Sequence, residues 1–342
     1  MNDIFDKASW AKFLRGYTIY DCAILQEEGF AFILVEEKDN RDQLPVTRIM
    51  YISAEQPLET RFGVCEGDNF TFTTIAAGID PLEYVAVDMQ SQVYSADGQR
   101  MGEETAIDEL IDMSTYGGKV GIITRVVSAA GQVYALGDYR RIYRRIGFEQ
   151  WIELGKEGKG VPLPSDIATA KIDDSGLGFS DMCAFSSDDM YAVGGKGDVW
   201  HFDGVKWHAC PIPTNANLKT VCCAADGVVY ITEMNGSVWA GRTDKWKRIA
   251  ESDIAWGHQP VDSAWFNNRL YLGGQEGLWT IDYKKKRVVP LQDIEAGAPN
   301  ATNSGRLDLC PDGDFLLTAG PHGACINDGS GWRRLFSTFD FI

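Results

Sequence analysis

One short segment, residues 139–145, groups side chains able to bind an anion and reads Tyr-Arg-Arg-Ile-Tyr-Arg-Arg. Four guanidinium groups beside two phenol rings are suited to hold a carboxylate or a phosphate. The segment also admits a structural interpretation, in which Arg140 and Arg141 cap a turn while Arg144 and Arg145 face solvent or pair with nearby acids. We favour the structural interpretation and assign no catalytic role to these arginines.

Acidic side chains accumulate in segments that we expect to form loops, and these residues are predicted to bind a partner. Several carboxylates on one face attract a basic protein surface and accelerate its association. For any single residue a solvated loop is the simpler interpretation, so the prediction depends on the whole set. The predicted partner-binding residues are Glu36, Glu37, Asp39, Asp42, Asp88, Asp108, Asp112, Asp138, Tyr139, Glu233 and Glu276.

Motifs of known enzyme classes are missing from the sequence. It contains no Gly-x-Ser-x-Gly elbow, no Gly-x4-Gly-Lys-[Ser/Thr] phosphate loop and no His-Glu-x-x-His motif. The segment Gly-Gly-Lys-Gly at 194–197 matches Gly-Gly-Gln-Glu at 273–276, so we interpret it as a repeat turn. The 4 histidines and 8 cysteines lack zinc-ligand spacing. We therefore expect a protein that is not an enzyme and holds neither a metal ion nor a cofactor.

These residues must be positioned by a repeated element. The segment MYAVGGKGDVWHFDGVKW at 190–207 and the segment VYITEMNGSVWAGRTDKW at 229–246 share a Tyr in second place, a Gly-containing turn, a Val-Trp pair and a final Trp. Similar copies begin at Val133, Leu270 and Phe315, and looser copies begin at Phe30 and Tyr84. Self-similarity at intervals of about 40–50 residues is typical of repeat architectures.

Each of these seven copies reads as short strands bounded by turn residues, without helical periodicity. A four-stranded sheet with two apolar faces is buried by packing against neighbouring sheets around an axis. The sequence therefore predicts an all-β, seven-bladed β-propeller of four-stranded antiparallel blades, forming a single domain over residues 1–342. A short amphipathic helix at about 3–14 is expected to pack on the propeller as a cap. The predicted blades span about 18–62, 66–107, 119–154, 180–210, 218–250, 260–291 and 305–342.

Two further patterns support this architecture. The recurring Tyr and Trp residues are expected to fill the wedge between blades, and small residues are expected on the innermost strands, where the sheets converge. We assign Cys183, Ala184, Cys222, Cys223 and Ala224 to those strands, with the thiols as core packing. Two turns resemble the Asp-box turns of sialidase-like propellers: Asp-Gly-Val-Lys-Trp at 203–207 and Asp-Gly-Ser-Gly-Trp at 328–332. A degenerate version lies at 243–246. Their Asp is expected to cap the turn amides and their Trp to anchor the hairpin.

One face of such a propeller is expected to carry the binding site. Loops between the second and third strands of a blade lie on the same face as the connections between blades. We call this face the connection face and the opposite one the turn face. The connections at 154–180, 209–218, 250–260 and 291–304 are long, whereas the opposite loops are tight. Because binding residues usually lie on elaborated loops of a rigid scaffold, we expect the site on the connection face.

The strongest signal in the composition is acidity, with 49 Asp and Glu against 32 Lys and Arg, a net charge of −17. Such a charge repels nucleic acid and membrane surfaces, so neither is an expected partner. There is no long apolar run, and Asp3 and Asp6 occupy the position where a signal peptide carries positive charge. We expect a cytoplasmic protein with reduced thiols.

The combination of an acidic single-domain propeller, degenerate Asp-box turns and missing catalytic motifs resembles the β-propeller immunity proteins of bacterial type VI secretion and other polymorphic toxin systems. The resemblance implies a protein that binds a cognate secreted toxin, as a monomer in a 1:1 complex, and occludes the active site of that toxin. The acidic charge suggests that the toxin is a basic nuclease. Two alternatives stay open: a scaffold or assembly-factor propeller that binds other proteins, and a carbohydrate-active propeller enzyme.

Overall fold

The computed structural model describes residues 4–38, 44–67, 69–107, 122–163, 177–252 and 259–342. One α-helix, α1 (Lys7–Phe13), precedes the first strand. The strands of the first two sheets are Tyr17–Gln26 (β1), Gly29–Glu36 (β2), Thr47–Ser53 (β3) and Phe62–Gly67 (β4), then Thr74–Ile79 (β5), Leu82–Val87 (β6), Val93–Ala96 (β7) and Met101–Glu104 (β8). Those of the third and fourth are Ile123–Ala129 (β9), Gln132–Gly137 (β10), Arg141–Gly147 (β11) and Gln150–Glu153 (β12), then Phe179–Ser186 (β13), Asp189–Gly194 (β14), Asp198–Phe202 (β15) and Trp207–Ala209 (β16).

The last three sheets have the same plan. Their strands are Leu218–Cys223 (β17), Val229–Glu233 (β18), Val238–Arg242 (β19) and Lys245–Ala250 (β20), then Asp262–Phe266 (β21), Arg269–Gly274 (β22), Gly277–Asp282 (β23) and Arg287–Pro290 (β24), and finally Arg306–Leu309 (β25), Leu316–Gly320 (β26), Gly323–Asn327 (β27) and Trp332–Ser337 (β28). Short 3-10 helices lie at Asp138–Arg140, Gly195–Gly197, Leu291–Asp293 and Thr338–Asp340. None of the helices in the described part of the chain has the length and apolar character that a membrane span needs.

Each sheet consists of four strands in chain order, paired antiparallel, and seven such sheets form the molecule. The first strand of every sheet contacts the first strand of the next sheet, and β25 contacts β1, which closes the ring. The predicted seven-bladed β-propeller is therefore confirmed. The first blade is longer than the predicted 18–62, because its fourth strand is Phe62–Gly67.

The recurring aromatic residues pack between neighbouring blades, as the repeat predicted. The ring of Tyr230 in the fifth blade stacks on Trp265 in the sixth, with centroids 5.3 Å apart. Tyr191 and Tyr271 occupy the equivalent strand in their blades and meet Trp246 and Trp332 of the following blade edge to face. Large rings at this position fill the space that opens as the sheets diverge from the axis.

The Asp-box turns also have the predicted structure. Asp203 accepts hydrogen bonds from the backbone amides of Val205 and Lys206, both at 2.9 Å, and Trp207 is buried beside the turn. Gly204 has φ +87°, a conformation that favours glycine. These turns stabilise the outer hairpin of the blade.

The segment before the first strand covers the junction between the first and last blades. The ring of Phe5 stacks on Phe62 of the first blade at 4.9 Å and meets Phe336 of the last blade at 5.0 Å. Leu14 is buried in the same apolar cluster. The expected role of this segment as a cap is confirmed, and the cap lies where the two ends of the chain meet.

Replacing Leu14 with Ala is expected to lower the free energy of unfolding by about 2–5 kcal/mol, because the change leaves a cavity in a packed cluster. Urea unfolding of the purified chain measures the effect. Lys7→Ala is the matched control, since the exposed Lys7 lies on the same helix and its loss is expected to cost less than about 0.5 kcal/mol. Equal stability of the two variants would contradict the assigned role of the cap.

Candidate functional site

A recurrent hydrogen bond joins the first strands of the blades, which line the central channel and are called the inner strands here. An oxygen of a side chain on one inner strand accepts the backbone amide proton of the next inner strand. The pairs are Asp21 with Ile75 at 3.0 Å, Thr74 with Val126 at 2.9 Å, Asp181 with Val221 at 2.8 Å, Asp262 with Leu307 at 3.0 Å and Asp308 with Ile24 at 2.8 Å. The last pair joins the seventh blade to the first and so fastens the closing junction of the ring.

Two arginines balance part of this carboxylate charge. Arg125 of the third blade reaches across the channel to the sixth, where it donates to the Val261 carbonyl at 2.6 Å and pairs with Asp262. Its Nε also lies 3.6 Å from Asp181 of the fourth blade. Arg306 pairs with Asp21 at 2.9 Å, and its Nε lies 3.5 Å from Asp262. We call these groups, with Asp308, the charged layer.

The carboxyl groups of the charged layer differ in pKa, because burial and the neighbouring guanidinium groups affect each of them to a different extent. Burial raises the pKa of Asp308 to about 8, because the hydrogen bond from Ile24 only partly offsets the loss of solvation and Asp21 adds negative charge. Burial likewise raises the pKa of Asp181 to about 6, against the attraction of Arg125. For Asp262 the two guanidinium groups outweigh burial and hold its pKa below the usual range. The layer therefore holds carboxyl groups that differ in charge at neutral pH.

A cavity of about 430 Å³ extends from the charged layer towards the turn face. Asp21, Arg125 and Asp181 lie at its inner end, where the arginine crosses the channel. Its walls then follow the inner strands to residues in the loops between first and second strands, such as Gly131 and Pro311. This cavity thus lies towards the face opposite to the one on which the sequence predicted the site.

The predicted inner-strand residues line this cavity. Cys183, Ala184, Cys222 and Cys223 are among its wall residues, and the amide of Cys223 donates to the sulfur of Cys183 at 3.2 Å. A hydrogen bond with the Cys223 thiol, aided by the one from its amide, holds the pKa of Cys183 below the usual thiol range, although burial opposes it. Cys222 is buried, whereas Cys183 and Cys223 are half-buried. The interpretation of these thiols as packing residues of the innermost strands agrees with their positions.

Three of the predicted partner-binding residues are buried and stabilise loops of the connection face. Asp88 accepts hydrogen bonds from the backbone amides of three residues of its own loop and its neighbour, at 2.8 to 3.1 Å. Glu233 accepts from Trp239 Nε1 at 2.9 Å and from Thr214 at 2.8 Å. Tyr139 has φ +58° and packs on Leu177. Their side chains offer little surface to a partner.

The other predicted residues are spread around the same face rather than gathered at one point. Glu36 and Asp138 are half-buried, and Glu37 and Glu276 are exposed. A hydrogen bond from Lys38 holds the pKa of Glu36 below the usual range. The remaining four, Asp39, Asp42, Asp108 and Asp112, lie outside the described residues.

The arginine-rich segment 139–145 joins blades. Arg145 is fully buried and makes paired hydrogen bonds of 2.7–2.9 Å to Glu83 and Glu104 of the second blade. Arg140 makes two hydrogen bonds of 2.7 Å to Asp198 of the fourth blade. The structural interpretation was right for Arg145, which pairs with nearby acids, whereas Arg140 bridges to the next blade.

Sequence reasoning missed the charged layer, although its carboxylates share a signal. Asp21, Asp181, Asp262 and Asp308 each stand two residues before an Ala or a Cys on an inner strand. An Asp followed at this spacing by a small residue recurs in four of the blades, and the same spacing also occurs at Asp166 and Asp253. Among the described residues, no group of three or more His, Cys, Asp and Glu side chains has the arrangement of a metal site.

Comparison with known proteins gives one relative in sequence and several in fold. No family model matches the chain. Over 161 residues it is 32% identical to Immune protein Tsi7 of Pseudomonas aeruginosa, which covers 47% of this chain and 49% of the relative. The chain thus spans about half the length of this curated relative. The resemblance to immunity proteins is in this way supported by sequence similarity to one of them.

Solved structures share the architecture at low identity. A virginiamycin B lyase from Staphylococcus aureus has a TM-score of 0.60 at 10% identity, over 90% of this chain and 92% of the lyase chain. The WD40 propeller domain of Doa1 has a TM-score of 0.55 at 8% identity, over 93% of this chain and 92% of that chain. These similarities show the propeller fold alone.

The raised pKa of Asp308 predicts a pH-dependent stability. The folded state holds this proton more tightly than the unfolded chain, whose Asp titrates near about 4. The stability that the neutral carboxyl contributes is therefore lost as pH rises from about 4 to about 8. Asp308→Asn keeps an acceptor for the Ile24 amide but cannot ionise.

Between pH 5 and pH 9 we expect the wild-type chain to lose more stability than Asp308→Asn, by on the order of 1–3 kcal/mol, since Asp308 is only half-buried and solvent screens part of the cost of its charge. Urea unfolding at the two pH values measures the difference. Asp314→Asn, at an exposed site, serves as the control and should follow the wild type. An identical pH profile for Asp308→Asn and the wild type would refute the assignment.

Proposed function

We propose that this chain is an immunity protein, which binds a cognate secreted toxin and prevents the toxin from acting on the cell that makes both. The observation that carries the proposal is the 32% identity to Immune protein Tsi7 over 161 residues. The propeller supports it, because a rigid ring of sheets presents loops as a binding surface. Inhibition would then follow from occlusion, with the propeller covering the active site of the toxin.

The charge of the chain supports a nuclease as the toxin. A net charge of −17 and a pI of about 4.7 favour a basic partner. Enzymes that act on nucleic acid carry positive surfaces to bind phosphate groups, and an acidic protein competes for such a surface. We therefore propose a nuclease delivered by a type VI secretion system, held in a 1:1 complex with a monomeric propeller in the cytoplasm.

A non-catalytic role fits the use that the fold makes of its ionisable groups. In the charged layer, the carboxylates accept backbone amides of the next blade or pair with Arg125 and Arg306. The arginines of segment 139–145 are likewise used between blades. These contacts stabilise the ring, and that role explains their presence without a reaction.

Co-expression tests the function directly. The polypeptide encoded by the open reading frame beside that of this chain is expected to arrest growth when induced alone in a bacterial host. Simultaneous production of this chain should restore growth, whereas an unrelated protein of similar net charge should not. A neighbour that is harmless alone, or one that stays fully toxic beside this chain, would overturn the proposal. Stable co-purification with housekeeping proteins in place of the neighbour would favour a scaffold role.

A further inference from the structure

The loops nearest the channel on the turn face have an unusual charge. These inner turns join the first and second strands of the seven blades, at residues 27–28, 80–81, 130–131, 187–188, 224–228, 267–268 and 310–315. Together they contain 7 Asp and Glu residues and no Lys or Arg. They surround the end of the 430 Å³ cavity, since Gly131 and Pro311 line it.

The outer turns of the same face differ in charge, which shows that the acidity is local. They join the third and fourth strands, at residues 54–61, 97–100, 148–149, 203–206, 243–244, 283–286 and 328–331. These loops contain 7 acidic and 6 basic residues, a net charge of −1 against −7 for the inner turns. The negative charge is therefore concentrated around the mouth of the cavity.

The cavity behind this acidic rim has an apolar wall. Phe185 and Trp265 line it and are half-buried, and Ile79 at the rim is 51% exposed. Trp265 stacks on Tyr230 from the blade before, so its indole is held in place. The Oγ of Ser263, also at the wall, is buried and has no hydrogen-bond partner among the residues that the structure describes. A ligand entering here meets the indole of Trp265, the ring of Phe185, over which the Arg242 guanidinium lies at 4.4 Å, and the Ser263 hydroxyl.

This combination fits a long cationic side chain. Lys and Arg have an apolar stem that packs on aromatic surface and a charged end that favours a nearby ring face or carboxylate. The stem would lie against Phe185 and Trp265, and the charge would lie near the acidic rim, since Arg125 and Arg306 pair with the carboxylates at the inner end. A negative rim also steers a basic surface towards the mouth before contact.

We propose that the turn face is the toxin-binding surface, and that the toxin inserts a loop bearing Lys or Arg into the mouth of the central channel. The inference rests on the proposed function and specifies the surface and the chemistry of the partner. A basic segment that a nuclease uses to hold phosphate is the kind of element that fits this site. The connection face, where the sequence placed the interface, then has no part in the initial recognition.

Three charge-matched variants separate the two faces. The rim variant is Glu27→Lys/Asp188→Lys/Asp314→Lys, at exposed positions of three inner turns. The outer-turn control is Glu55→Lys/Glu59→Lys/Asp244→Lys, on the same face. The connection-face variant is Glu36→Lys/Glu37→Lys/Glu276→Lys. Each changes the net charge equally, so a difference among them reports position.

Association of each variant with the purified neighbour-encoded toxin is measured by stopped-flow at low and high salt. We expect the rim variant to associate about tenfold more slowly or worse at low salt, with a weaker salt dependence. The two other variants should stay within about twofold of the wild type. Circular dichroism confirms that each variant is folded.

A second measurement needs no substitution. Half-buried Cys183 and Cys223 line the cavity, and half-buried Cys65 lies on β4, the outermost strand of the first blade. Alkylation by N-ethylmaleimide, followed by mass spectrometry, should slow about tenfold at Cys183 and Cys223 when nine-tenths of the chain is bound. Labelling of Cys65 should stay unchanged.

The outcomes are distinct. If the wild-type chain does not bind the toxin, the proposed function is overturned and this inference with it. If the wild type binds, but the rim variant associates as fast as the outer-turn control, or the connection-face variant alone is slowed, the inference is overturned and the immunity function stands. Unchanged labelling of Cys183 and Cys223 in the complex would also overturn it.

Discussion

The hydrogen bond that the backbone amide of one inner strand donates to a side-chain oxygen of the preceding inner strand, present at five of the seven blade junctions, is the contact on which this propeller depends. The seven sheets do not form one continuous ladder; backbone hydrogen bonds link some neighbours, such as Ile79 with Gly131 and Val288 with Glu251, and packing along apolar faces alone would leave the offset of the blades loosely defined. An Asp or Thr oxygen that accepts the amide of the following strand fixes that offset, and buried amides need such a partner in any case. Between the last blade and the first, Asp308 makes this contact with Ile24 at 2.8 Å, so the ring closes by the same device.

The same contact shapes the candidate site. Carboxylates drawn to the axis are costly to bury unless they are paired and hydrogen-bonded, and Arg125 and Arg306 supply the pairing. Their guanidinium groups occupy the channel at one level and leave the space beyond them, towards the turn face, as a cavity. The inner turns that end the inner strands then surround its mouth, and their acidic residues give it a charge of −7. Ring closure, cavity and rim thus follow from one arrangement of inner strands.

The fold could be predicted from the sequence because large aromatic residues recur at equivalent positions of the repeat. The Tyr and Trp of 190–207 recur in 229–246, and both copies fill the wedge between blades as expected. The site was harder to predict. The length of the loops predicted a site on the connection face. The side chains of Asp88 and Glu233 on that face instead accept hydrogen bonds from residues of their own blades. The cavity is formed by residues from all seven inner strands. These strands come together on one axis only when the ring closes, and no local sequence pattern predicts that arrangement.

Hydrogen exchange of the chain, alone and in complex with the toxin it neutralises, tests most directly whether the mouth of the channel is the surface used. Slower amide exchange on binding reports where a partner covers the backbone or holds it in place. The account predicts that exchange slows in the inner turns, while the loops between second and third strands exchange as in the free chain. Slower exchange confined to those second-to-third-strand loops, with the inner turns unaffected, would contradict it.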